Sequence, residues 1–247
     1  MRHRFVIAES EVDGVRADGD TAVEQTTWDR SSGSQLLEQR VVRFARGRSR
    51  TRSDAERDEL LYVVSGRATL VLGDEEHALE PMMGAYVRAG EEWAVDNDGP
   101  EELHVVAVSV PAEGARSGAR RVTVRFDDQP EQRADDNRTF RYLVNGAAGS
   151  TAATQFVGLV QPCRAPDHSH SYDEVGYIVE GRGFAHVGGE SIPLGPGSSF
   201  HLPPEQVHCI ENTGPGVMRI LGVFYPSGDP ASRTYDEAAS TAEGGSR

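Results

Sequence analysis

Short runs rich in β-branched and aromatic residues recur along the chain: "LLYVVSG", "ATLVLG", "LHVVAVSV", "TQFVGLV", "VGYIVEG" and "MRILGVFY". Glycine, proline and other turn formers separate them at short intervals. This pattern predicts many short strands and an all-β sandwich or barrel. No amphipathic helix longer than a few turns is expected. The last stretch, residues 228–247, is small and polar with little to bury, and is expected to be a mobile tail.

The pattern repeats. At an offset of 115 residues, Glu59 falls on Glu174, Tyr62 on Tyr177, Gly66 on Gly181 and Arg67 on Arg182. The same register carries Gly73 onto Gly188, Pro81 onto Pro196, Asn97 onto Asn212, Gly99 onto Gly214 and Pro111 onto Pro226. One offset held through so many turn residues indicates a duplicated unit, and its period is too long for a solenoid. Two tandem β domains are expected, at 1–112 and 121–227. "PAEGARSGAR", residues 111–120, is the expected linker.

Composition narrows the partners. The 247 residues are 37% hydrophobic and 26% charged, ordinary for a globular chain long enough to bury a core. A formal net charge of −14 repels phosphate backbones and argues against nucleic acid. No run approaches the roughly 20 apolar residues that span a bilayer, and no secretory signal is seen. Cys163 and Cys209 make no CxxC pair, so a reduced, cytoplasmic setting is expected.

Candidate chemistry is confined to the second copy. In "DHSHSYDEVGYIVEG", His168 and His170 lie on one face of a strand, and Glu174 shares their parity at the start of the next. "GPGSSFHLPPEQVHCIENTG" places His208 on a further strand after a Pro-Pro turn. Four such groups inside one barrel would be costly to desolvate unless paired or coordinated. They are read as ligands of one divalent transition metal, with Fe, Mn or Ni ahead of Zn, Co or Cu. A metal-free polar cluster and a closed structural zinc are the alternatives.

The His-x-His-x3-Glu pattern of His168, His170 and Glu174, running on to Gly181, resembles the first cupin motif. "PLGPGSSFHLPPEQVHCIEN" resembles the second, with His208 in the remaining ligand position. Through the repeat the resemblance covers most of the chain, which looks like a bicupin. That implies two tandem jelly-roll barrels with a metal in one, and a homodimer. The first copy departs: His168, His170 and His208 become Ser53, Ala55 and Trp93, and only Glu59 survives. A metal-free N-terminal barrel is expected, with Trp93 filling the space.

Other features carry plainer readings. His201 and His186 are strand histidines left off the ligand set, and Cys209 is expected to point away from the metal. Arg48, Arg50 and Arg52 are expected on the outer face of the first barrel. No dinucleotide fingerprint, P-loop or nucleophile elbow is present.

Three imidazoles and one carboxylate leave up to two open positions on a six-coordinate ion. With a net positive charge, the site is expected to take a small oxygenated or carboxylate metabolite. The resemblance to quercetinase-like cupins implies a dioxygenase-type oxidoreductase in which Glu174 also serves as a catalytic base. The alternative is a non-redox hydrolase, isomerase or lyase. Ureidoglycine aminohydrolase is similar in architecture, though its Glu-x-His-x3-His pattern exchanges the residue types seen here. A third reading is a small-molecule-binding protein without turnover.

Overall fold

In the strand Arg57–Ser65, alternate side chains point in opposite directions, yet Leu60, Leu61, Tyr62 and Val63 are all buried. A strand buried on both faces reads as a continuous apolar run, which is why "ELLYVV" shows no alternation. Leu60 and Tyr62 enter an apolar cluster shared by the two halves of the chain, while Leu61 and Val63 fill the first barrel. The equivalent strand Asp173–Glu180 does the same. Val175 and Tyr177 join the shared cluster, and Ile178 enters the interior of the second barrel.

A computed structural model describes residues 4–113 and 119–235 and shows two such barrels, each made of two antiparallel sheets. The large sheet of the first runs Thr123–Arg125, Met83–Val87, Arg57–Ser65, Leu103–Pro111, Glu38–Phe44, Ala22–Trp28. That of the second runs Val6–Ala8, Ser198–Leu202, Asp173–Glu180, Met218–Tyr225, Thr154–Val160, Arg138–Val144, Gln132–Arg133. The all-β, jelly-roll expectation holds. Among the described residues the helical turns are short 3₁₀ segments, and no helix is long and apolar enough to cross a membrane.

The repeat has a physical basis at its turn residues. Gly66 and Gly181 have φ of 83° and 93°. A Cβ at Gly66 would lie 2.4 Å from Glu102 O, and one at Gly181 would lie 2.8 Å from Met218 Cα. Each position needs glycine for both reasons. Asn97 donates to Phe44 O and Glu101 O and accepts from Gly99 N, closing one loop. Asn212 makes the equivalent contacts with Val160 O, Gly216 O and Gly214 N. At another equivalent pair, Tyr86 donates to Asp58 in the first barrel, while His201 meets Asp173 in the second at 2.7 Å.

Two differences from the expected boundaries follow from strand exchange. Val6–Ala8 pairs with Ser198–Leu202 of the second barrel, and Thr123–Arg125 pairs with Met83–Val87 of the first. Each half therefore contributes an edge strand to the other's large sheet. Glu9 fastens this crossing, accepting from Tyr177 of the second barrel and Arg43 of the first. Half of the expected linker, residues 114–118, lies outside the described residues. The expected tail needs correction. Residues 236–247 lie outside the described residues, but 228–235 pack on the second barrel, where Thr234–Tyr235 pairs with His168–Ser169. Strand pairing, side-chain hydrogen bonds to its carbonyls and the Arg233–Asp135 ion pair hold this segment.

Candidate metal centre

Antiparallel register sets His168 directly opposite His208, so their side chains share one face of the smaller sheet. Their ring centroids are 4.5 Å apart, and His170 lies 5.0 Å from His168 and 5.5 Å from His208. One ring nitrogen from each comes within 4.8 Å of the others. The Nδ1 atoms are committed elsewhere: His168 to Pro166 O at 2.9 Å, His170 to Ser232 O at 3.0 Å, His208 to Gln206 O at 2.9 Å. A carbonyl oxygen only accepts, so each Nδ1 carries the proton and each Nε2 keeps a free lone pair. Tyr172 stacks on His170 at 4.9 Å and 15° and donates to Asp229 O, which fixes that ring further.

Glu174, second residue of the strand Asp173–Glu180, lines the same cavity, with Oε2 4.0 Å from His170 Nε2. That oxygen is buried and has no hydrogen-bond partner. Burial sets the electrostatics. Desolvation, reinforced by the neighbouring rings, lowers His168 to about 2, and desolvation chiefly lowers His170 and His208 to about 4. Desolvation raises Glu174 to about 8, with nearby Arg233 opposing it and Asp173 adding to it. At neutral pH the three rings are therefore uncharged bases, the form that binds metal.

The sign of the Glu174 shift gives a prediction. Its folded-state value lies above its unfolded one, so the metal-free protein loses stability as the pH rises from 4.5 toward 8. Glu174→Gln is expected to gain melting temperature over the wild type progressively across that window, measured on chelator-treated protein.

The cavity in front of the histidines is a small one, of about 80 Å³, that opens to solvent. Phe140, Phe156, Phe200 and Phe224 form much of its wall, and Arg138 and Arg233 supply its cationic lining. Asp135 accepts from both arginines at 2.6 and 3.0 Å. Burial alone would raise this carboxyl, but those hydrogen bonds, with another from Asn137 N, hold it at about 2. Sequence reasoning missed all three residues. Arg138 precedes an alternating run whose facing was legible in principle, whereas Arg233 sits in a polar stretch with no periodicity.

The first barrel has another cation at its centre. Arg40 Nη2 lies 2.6 Å from Oε1 of Glu59, the counterpart of Glu174, and Arg40 also faces Glu24 and Glu38. Trp93 is buried as expected. Arg52 is a correction: it turns inward over Trp93 and pairs with Asp20 and Glu24. Here the chain forms only an isolated bridge to Trp93, so strict strand parity does not apply. Arg40→Met would leave Glu59 buried without its partner, and is expected to cost about 3 kcal/mol or more in denaturant unfolding at neutral pH. The loss should shrink at acid pH, where Glu59 is protonated.

His201 faces Trp28 across the inter-barrel cluster at 5.4 Å and lies outside the cavity. His186 pairs with Glu211 and Ser191 on the far side of its sheet. Cys209 is buried, and burial raises its thiol to about 11, which leaves it unreactive.

Comparison with known proteins agrees with the two-barrel fold. The family model described as "Cupin domain" matches twice, at residues 40–109 and 157–224. An uncharacterized protein of Methanocaldococcus jannaschii is 37% identical over 60 residues, covering 24% of this chain and 48% of that one. The chain thus spans about half the length of that relative. Among solved structures, protein Ylba from E. coli superposes with a TM-score of 0.77 at 12% identity, over 91% of this chain and 92% of that one. A mutant of Bacillus subtilis oxalate decarboxylase superposes with a TM-score of 0.77 at 13% identity, over 95% and 80% of the two chains. Both likenesses concern the fold.

Proposed function

This chain belongs to the cupin family, with two copies of the domain in tandem, and we propose that its second barrel is a metal-dependent enzyme site of the dioxygenase type. Its substrate is a small oxygenated or carboxylate metabolite. The observation that carries this reading is three buried imidazoles, each with Nδ1–H tied to a carbonyl, beside a buried carboxylate oxygen that no donor satisfies. This donor set suits one divalent transition ion, held by His168, His170, His208 and Glu174, with Fe, Mn or Ni preferred over Zn, Co or Cu. When bound, such an ion supplies Lewis acidity and, if redox-active, a path for electrons to dioxygen.

The chain's own residues do the rest. The phenylalanine wall excludes water and packs the substrate's apolar part. Arg138 and Arg233 attract and orient an anionic group. Glu174, if released from the ion during turnover, can accept or return a proton at Oε2.

Oxygen uptake by the metal-loaded protein with a panel of enediols, flavonols and small carboxylates tests the proposal. Product formation that stops under anaerobic conditions supports it. Turnover indifferent to oxygen would replace it with the second reading, a hydrolase, isomerase or lyase. The two buried arginines favour carboxylate substrates for that reading also, as the name oxalate decarboxylase states for the Bacillus protein. Affinity without product would indicate a binding protein.

A further inference from the structure

Arg233 reaches the cavity on a segment fastened to the histidines themselves. His168 pairs with Tyr235 and Ser169 with Thr234 across the strand ladder. Ser232 O accepts from His170 Nδ1, and Asp229 O accepts from the Tyr172 hydroxyl. Between these anchors the Arg233 side chain is only 6% exposed, with Nε donating to Pro230 O at 3.1 Å and Nη1 to Asp135 Oδ2 at 3.0 Å. The Arg138 side chain is 10% exposed and uses the same oxygen: Nε donates at 2.6 Å, and Nη2 lies at 2.5 Å without a well-aligned hydrogen bond.

One carboxylate therefore serves two buried guanidinium groups. Asp229, the other acid of the segment, is turned to Ala231 N and the Tyr142 hydroxyl. Asp136 pairs with Arg133 at the surface. Glu174 also lies in the cavity near Arg233, but its Oε2 faces His170 and makes no hydrogen bond to either arginine. The pair shares Asp135 alone by hydrogen bond, and Arg138 Nη2 stays without a hydrogen bond beside a wall of Phe140, Phe156 and Phe224. An uncompensated buried charge is costly, and the group that relieves it best is an anion able to accept from a guanidinium fork. The apolar wall selects what the anion is attached to.

We propose that Arg233 and Arg138 form a carboxylate-recognition site, and that the substrate carries one carboxylate on an apolar, ring-sized body rather than being a small polar diacid. This rests on reading the cavity as the substrate site, but its test requires no turnover.

Full-length protein stripped of metal is titrated calorimetrically with benzoate, benzamide and oxalate. Benzoate should bind at least about tenfold more tightly than either competitor. Arg233→Gln should weaken benzoate at least about tenfold, and Arg233→Lys, which keeps the charge without the fork, by less. Equal affinity for benzoate and benzamide, or a folded Arg233→Gln protein that binds benzoate as the wild type does, would overturn the proposal. If Arg233→Gln does not fold, the wild-type ratio of benzoate to benzamide decides alone. Metal content of the same preparations separates the two readings. A wild type that loads metal but shows no preference for benzoate rejects the carboxylate site only. One that prefers benzoate yet never loads metal rejects the metal centre only.

Discussion

His170→Ala is expected to remove metal from the second barrel while leaving the first barrel folded. His170 lies 5.0 Å from His168 and 5.5 Å from His208, and its Nδ1–H is held by Ser232 O, so its Nε2 is oriented before any ion arrives. Losing hydrogen bonds behind a ligand already costs about 10- to 100-fold in metal affinity, and losing the ligand itself should cost at least the upper figure. The chain also provides its own control. Its two tryptophans, Trp28 and Trp93, both lie in the first half. Metal content should collapse in the variant while tryptophan emission and its unfolding midpoint stay close to the wild type. Full metal occupancy in His170→Ala would rule out the ligand assignment.

Trp28→Ala is expected to give the largest loss of stability, about 3–5 kcal/mol. Trp28 is fully buried in the cluster shared by the barrels, where its indole faces His201 of the other half. Little can collapse into the void, because rigid sheets frame it on both sides. For a chain of this size that loss corresponds to a drop of roughly 6–20 °C in melting temperature. Differential scanning calorimetry checks it. A change within a degree or two would mean that the barrels do not depend on their common core.

The duplication was legible because its markers are residues with few substitutes. Gly66 and Gly181 need left-handed backbone beside crowded neighbours, and Asn97 and Asn212 close equivalent loops. The histidines were legible for a similar reason: strand alternation alone puts His168 and His170 on one face. Exchange of Val6–Ala8 and Thr123–Arg125 was not, since a short edge strand has the same local pattern whichever sheet it joins. Arg233 was hidden too. The segment that delivers it is held by main-chain hydrogen bonds to His170, Tyr172 and the strand His168–Ser169, and hydrogen bonding of that kind leaves no apolar signature. Arg40 was missed because its role depends on a partner 19 positions away, Glu59, on a strand separated from its own by Leu103–Pro111.

The duplication kept the fold twice and the histidine cluster once; in the first barrel a guanidinium occupies the place beside the surviving glutamate. Anomalous diffraction at the metal edge, from crystals of the full-length protein reconstituted with Mn, Fe or Ni, tests this most directly. The account predicts one peak per chain, among His168, His170 and His208 and within bonding distance of Glu174. A peak beside Glu59 in the first barrel, or none between the three histidines, would contradict it.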